Sequence, residues 1–233
     1  MNVQSNLYTF IYATVLVIVV ALGLAFTSIS LKEKQEANIE KEKKQNILAS
    51  IGVECTRDEA VTLYKEYVKD VYAIDFNGEK VEGDAFIIDL NVEQAKAPEE
   101  RQYPVYECEK DGEKIYVFPV RGKGLWGPIW GYVALKEDFN TIYGVTFDHK
   151  GETPGLGAEI TTKEFQSQFL GKKIFDDTGA FVSILVKKAG KADPEGEHEV
   201  DGLSGSTLTC KGLEAMLYDS LIAYENFFKS HKK

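Results

Sequence analysis

KIYVFPVRGKGLWGPIWGYVALKEDFNTIYGVTFD, residues 114–148, holds three short runs rich in Val, Ile, Tyr and Phe. KIYVFPV (114–120), IWGYVAL (129–135) and TIYGVTFD (141–148) have strand length and strand composition, with Gly- or Asp-containing turns between them. AFIIDL (85–90) and FVSILVK (181–187) read the same way. Helices are expected on both sides of this group. Thr56 with Glu59 makes a capping-box pattern before EAVTLYKEYVKDVYAI, and Thr161 with Glu164 repeats it before KEFQSQFL. From about Thr209 to Ser230 the residues Leu213, Met216, Leu217, Leu221, Tyr224 and Phe228 form an i, i+3/i+4 stripe, most simply the core face of a last helix. Strands in runs, flanked by helices, predict an α+β domain with a mainly antiparallel sheet.

The N-terminal end is different. Leu7 to Ile29 reads LYTFIYATVLVIVVALGLAFTSI, without one charged residue. At about 1.5 Å per residue it matches the thickness of a hydrocarbon core. Nothing basic precedes it, as a cleaved signal would require, and buried core helices seldom run so long without a polar residue. Tyr8 and Tyr12 near one end suit a membrane interface. A single transmembrane helix is therefore predicted. Ser30 to about Ile51 follows as a charged, helix-prone stalk with mixed Glu and Lys. The predicted layout is an anchor over 1–29, a stalk over 30–51 and a soluble domain over 52–233. Lys32, Lys34, Lys41, Lys43 and Lys44 follow the span and no Lys or Arg precedes it, so the lysine count alone puts the domain in the cytoplasm.

Bulk properties narrow the function. The chain has 233 residues, 44% of them hydrophobic, enough for one domain with a real core plus the anchor. A net charge of −10 argues against a phosphate-backbone surface, so no nucleic-acid partner is expected. His149, His198 and His231 are scattered, which speaks against a zinc site. No P-loop and no G-x-G-x-x-G occurs. Cys55, Cys108 and Cys210 form no C-x-x-C, and the sequence does not say whether two of them pair.

Three glycine-dense pieces could carry chemistry. In RGKGLWGPIWGYVAL (121–135), Gly122, Gly124 and Gly127 bracket Leu125 and Trp126. Glycine lets backbone approach a flat ligand and an indole offers a stacking face, although a plain turn before a strand fits the composition better. In HKGETPGLGAEI (149–160), Glu152 and Thr153 offer polar atoms beside a Pro154-Gly155 turn, which suits a ring with alternating donors and acceptors or an ordinary surface loop. In DGLSGSTLTC (201–210), Gly205 leaves room for close approach. The amides near Ser206, Thr207 and Leu208 start the last helix, where free N–H groups and the helix dipole attract an anion. The plainer reading is helix capping by Ser206 or Thr209.

Taken together with the span, the three pieces resemble the C subunits of Na⁺-translocating NADH:quinone reductases, over essentially the whole chain. The flavin-attachment signature of that family, D-x-x-[ST]-G-A-T, stands here as Asp201-Gly202-Leu203-Ser204-Gly205-Ser206-Thr207, with Ser206 in place of the usual Ala. GKGLWGPIWGYVAL and HKGETPGLGAEI resemble the family's other two blocks, in the family's order. The G subunit of the Rnf electron-transport complex is similar in the signature and the ETPGLG block, and G-K-G-L-W-G-P tips the resemblance toward the quinone reductase. An Rnf-type subunit and a membrane-tethered binding module without flavin are the alternatives.

The resemblance implies an FMN-binding domain whose Thr207 hydroxyl forms a phosphoester with FMN, installed by a separate flavin transferase that reads Asp201 and Gly205. Ser204, Gly205, Ser206, Leu208 and Thr209 would surround the attachment point, with Thr209 more simply a helix cap. Glu152, Thr153, Gly155 and Leu156 would line the ring, and Leu125 and Trp126 would pack on it. The activity implied is single-electron relay within a multi-subunit complex that couples NADH oxidation and ubiquinone reduction to Na⁺ export. This chain would bind neither NADH nor quinone. The implied location is the bacterial inner membrane with the flavin domain periplasmic. That opposes the lysine count, and partner subunits of many spans are able to fix the orientation of a single one.

Overall fold

Helix α1 runs from Asn6 to Ser50 without a break. The computed structural model describes residues 5–231, so residues 1–4 of the expected anchor and 232–233 of the expected flavin domain lie outside it. The chain divides into two compact units, Met1–Lys43 and Lys44–Lys233. In the first, α1 is long and apolar enough to cross a membrane, with a mean hydropathy of 2.5 in its most apolar window. Thr27 donates its hydroxyl to the Gly23 carbonyl at 2.8 Å, so its polar atom is satisfied within the apolar stretch. The charged stretch continues the same helix. There Lys32 and Glu36 lie 3.8 Å apart at i,i+4, an exposed pair worth about 0.5 kcal/mol or less.

The second unit contains α2 (Arg57–Tyr67), β1 (Val68–Ile74), β2 (Lys80–Val81), α3 (Leu90–Glu93), β3 (Tyr103–Lys110), β4 (Glu113–Lys123), β5 (Pro128–Lys136) and β6 (Ile142–His149). After these come α4 (Lys163–Ser167), β7 (Leu185–Lys187), β8 (Glu199–Asp201), α5 (Thr207–Leu221) and α6 (Glu225–His231). Strands β1 to β6 form one antiparallel sheet in the order β2-β1-β3-β4-β5-β6. β7 and β8 pair in parallel beside it. This is the α+β architecture expected from the sequence.

The period of two along each strand sends alternate side chains to opposite faces. Phe118, Val120, Ile129, Val133 and Leu135 enter a core closed by Leu213, Leu217 and Leu221 of α5 and by Phe227 and Phe228 of α6. Ile115, Val117, Tyr132 and Ala134 enter the other core, closed by Ala60 of α2, by Ile47 and Leu48 at the end of α1 and by Ile51 just after it. The Thr56–Glu59 capping box is present in full.

Four local expectations are corrected. AFIIDL is not a strand: Ala85–Ile87 is a 3₁₀ turn and Leu90 begins α3. Asp84 accepts the Phe86 N–H at 2.9 Å and Asp89 accepts the Asn91 N–H at 2.8 Å, so short aspartates capture the backbone before a ladder does. EAVTLYKEYVKDVYAI changes state midway, because Val68–Ile74 pairs with β3. FVSILVK supplies only three strand residues, Leu185–Lys187. The second capping residue is Thr162, which accepts the Phe165 N–H, and not Thr161. The sequence reading also missed β3, disguised by Pro104. That proline lies beyond the part of β3 that pairs with β4, so its missing N–H costs no bond on that side.

All three cysteines are free thiols. Burial pushes Cys108 up to about 12 and raises Cys210, while burial and then Glu59 raise Cys55. Cys108 and Cys210 are buried and Cys55 is partly exposed. Iodoacetamide at neutral pH is therefore expected to reach Cys55 alone in the folded protein, and all three in denaturant, as counted by intact mass.

Candidate functional site

The turn 202–206 brings the chain into α5. Gly205 has φ +75°, and a Cβ there would meet Leu156 Cδ2 at 2.9 Å, so glycine serves both the backbone and the contact. Ser206 is the N-cap residue, but its side chain caps nothing. Its Oγ is buried without a partner. The first intrahelical bond is Cys210 N–H to Ser206 O at 2.9 Å, so the amides of Thr207, Leu208 and Thr209 are left without an intrahelical acceptor. Thr207 is exposed at this free end. The expected capping role of Thr209 is corrected. The helix starts two residues earlier, and Thr209 is buried in its first turn.

Thr209 donates its hydroxyl to Glu152 Oε2 at 2.5 Å. The other oxygen, Oε1, accepts the Trp126 backbone N–H at 2.8 Å. One buried carboxylate thus joins all three glycine-dense pieces. The pieces close around it: a Cβ on Gly124 would lie 2.6 Å from Oε1, and one on Gly157 would lie 2.5 Å from Oε2. The Gly124–Gly127 turn is closed by a 2.8 Å backbone bond. Thr153 accepts from the Leu156 and Ala158 amides at 3.1 Å, holding the ETPGLG loop in a tight curl.

The rims of these loops are apolar and face outward. Leu125, Trp126 and Leu156 on the loops and Leu208 in the first turn of α5 are 45%, 68%, 41% and 62% exposed, a cluster of bare large side chains. Thr153 and Gly155 are exposed between them. On the other side, a cavity of about 450 Å³ is lined by Ser204, Gly205 and Thr207 and by Lys187, Lys188 and Lys211. The β7–β8 pairing, with Lys187 opposite Asp201, carries Lys187 and Lys188 to the turn, and Lys211 comes from the second turn of α5. Lys187 pairs with Glu199 at 3.2 Å and Lys211 with Glu214 at 2.7 Å. The sequence reading missed the lysines. The doubled Lys187-Lys188 after a strand was the one available signal, and the parallel pairing that delivers it is a tertiary fact.

Asp201 holds this wall in place. Its Oδ1 accepts the N–H groups of Lys191 and Ala192 at 2.8 and 2.9 Å. Those bonds, Ala192 first, hold its carboxyl below the usual range. A depressed folded value contributes stability that is present above the unfolded pKa of about 3.9 and is lost as pH falls through the folded value. Asp176, held down chiefly by Thr178, acts in the same direction. The melting temperature is therefore expected to be flat from about pH 7 to 5 and to fall below about pH 4, with a shallower fall in Asp201→Asn, measured by melting against pH.

A larger cleft of about 870 Å³ lies along β4 and α5, lined by residues including Arg121, Lys123, Met216 and Asp219. Its lining contains neither Thr207 nor Glu152 nor Leu156. Of these three the smaller cavity holds Thr207, at the free amide end of α5. Helix amides and lysines suit a phosphate, and exposed apolar rims beside glycine turns suit a flat ring. The residues present fit a phosphorylated flavin.

Comparison with known proteins agrees. Residues 124–221 match the family model of the FMN-binding domain. The C subunit of the Na⁺-translocating NADH-quinone reductase of Vibrio vulnificus is 33% identical over 215 residues, covering 84% of this chain and 83% of that one. The corresponding C subunit of Vibrio anguillarum is 35% identical over 223 residues, covering 85% and 86%. The crystal structure of the C subunit from Parabacteroides distasonis superposes with a TM-score of 0.79 at 46% identity, covering 85% of this chain and 96% of that one. The anion-friendly helix start, the glycine cradle and these likenesses agree: the chain belongs to the family of FMN-binding C subunits of the Na⁺-translocating NADH-quinone reductase, a multi-subunit oxidoreductase.

Proposed function

We propose that the chain carries FMN through a phosphoester to the Thr207 hydroxyl and relays single electrons between other subunits of the complex. The observation that carries this reading is the contrast between two threonines. Thr207 is exposed at the free amide end of α5, whereas the Thr209 hydroxyl is buried and bonded to Glu152. Only the first is open to a modifying enzyme. In this reading the α5 amides and Lys188 receive the phosphate, and Leu125, Trp126, Leu156 and Leu208 flank the ring beside Thr153 and Gly155. Bound FMN supplies one-electron redox chemistry, and the chain supplies position and electrostatics. A covalent tether suits a relay because the carrier is never lost between turnovers.

The same proposal includes the setting. A separate flavin transferase installs the group, reading Asp201 and Gly205. Residues 1–29 span the bacterial inner membrane once, residues 30–51 form the stalk, and residues 52–233 form the flavin domain on the periplasmic side. The test is co-expression with the transferase, denaturation and a gel viewed under ultraviolet light. A fluorescent band of the chain's own mass plus one FMN is expected, and a dark band from folded, transferase-treated protein overturns the tether.

A further inference from the structure

Glu152 is 4% exposed, yet among the described residues it meets no cation. Its two oxygens accept from a backbone N–H and a hydroxyl, so both are served by neutral donors. We propose that Glu152 is a positioning residue whose buried negative charge holds the potential of the flavin low, an inference that rests on the tether at Thr207.

The geometry supports both halves. The carboxylate fixes the Trp126 backbone against the first turn of α5, two residues from Thr207. It therefore lies at the foot of the helix that carries the tether and beneath the loop that carries the bare indole. Gly124 and Gly157 leave no room for a Cβ against it, so the fold makes space for this group from two sides. Lys187, Lys188 and Lys211 line the cavity on the phosphate side, and His149 accepts the Glu152 backbone N–H at 3.2 Å through Nδ1; none of these forms an ion pair with the Glu152 carboxylate. An uncancelled charge in a low-dielectric interior acts over several ångströms. Adding an electron to the ring brings negative charge toward a fixed negative charge, which disfavours reduction. A carboxylate that served only as a strut would be equally well replaced by a neutral acceptor.

Two variants separate the roles. Glu152→Gln keeps the shape and an acceptor oxygen but removes the charge. Thr209→Val keeps the charge but removes one donor that spreads it. The measurement is a redox titration of full-length, flavin-loaded protein in detergent, followed by visible absorbance. Glu152→Gln is expected to move the midpoint positive by about a tenfold change in the one-electron equilibrium, about 59 mV. Thr209→Val is expected to move it negative. An unmoved or negative midpoint in Glu152→Gln overturns the proposal, as do shifts of one sign in both variants, which loosened packing alone would produce. If Glu152→Gln does not fold, Thr209→Val decides, and an unmoved or positive midpoint there overturns it. In-gel fluorescence is read first. A dark wild-type band removes the tether, whereas a fluorescent band with unmoved potentials removes only the role of Glu152.

Discussion

Thr207→Ala is expected to give a folded protein with no covalent flavin. The effect is all-or-none because the hydroxyl oxygen is itself an atom of the ester. The fold should not notice the change. Thr207 is exposed at the first position of α5, and its hydroxyl is not used to cap the helix. Surface substitutions of that kind stay within about 0.5 kcal/mol. Loss of fluorescence with an unchanged melting temperature would therefore report the missing oxygen and not a missing site. Thr207→Ser returns the oxygen without the methyl and is expected to recover part of the labelling. Thr209→Ala, which removes a buried hydrogen bond worth about 1 kcal/mol, should lower stability and keep the label. The check is intact mass beside in-gel fluorescence after co-expression with the transferase. Full labelling of Thr207→Ala would move the anchor elsewhere.

Gly212→Ala is expected to loosen the seat of α5. A Cβ there would lie 2.2 Å from the Lys123 carbonyl oxygen, 3.2 Å from its carbon and 3.3 Å from Gly124 Cα. Every one of these is backbone, so no side chain is free to swing away. Alanine gains about 1 kcal/mol of helix propensity over glycine. Forced overpacking costs about 1–3 kcal/mol in ordinary cores, and a carbonyl pressed this closely belongs at the high end. A net loss of about 2 kcal/mol should lower the melting temperature by roughly 4–8 °C for a domain of this size. Flavin loading should fall too, because residues 123–124 lead directly into Trp126, whose amide holds Glu152. Gly151→Ala is the control. Nothing lies within 4 Å of a Cβ there, and stability should change by less than about 0.5 kcal/mol.

Much of the fold was legible because it follows from short-range pattern. The strands 114–120, 129–135 and 141–148 alternate or cluster β-formers; the first two are found inside longer strands and the third is displaced by one residue, to Ile142–His149. The apolar run at the start was equally plain. Failures came where a local side chain or a distant partner overrode composition. Asp84 and Asp89 turned an apolar run into caps. Val68–Ile74 left a helical pattern because β3 offered it a ladder, and β3 was itself hidden by a proline.

At the site, the sequence by itself determined the ingredients: the helix start at a small-residue turn, the glycines, and the signature that singles out Thr207. Only the tertiary structure decided how they are used. Residues two apart on an α-helix are turned by about 200°, so Thr207 and Thr209 lie on nearly opposite faces. Which face meets the body is set by where α5 lands on β4, a contact between segments about ninety residues apart. That landing turns Thr209 onto Glu152, leaves Thr207 in the open, and makes one carboxylate the meeting point of three loops that no spacing in the chain connects.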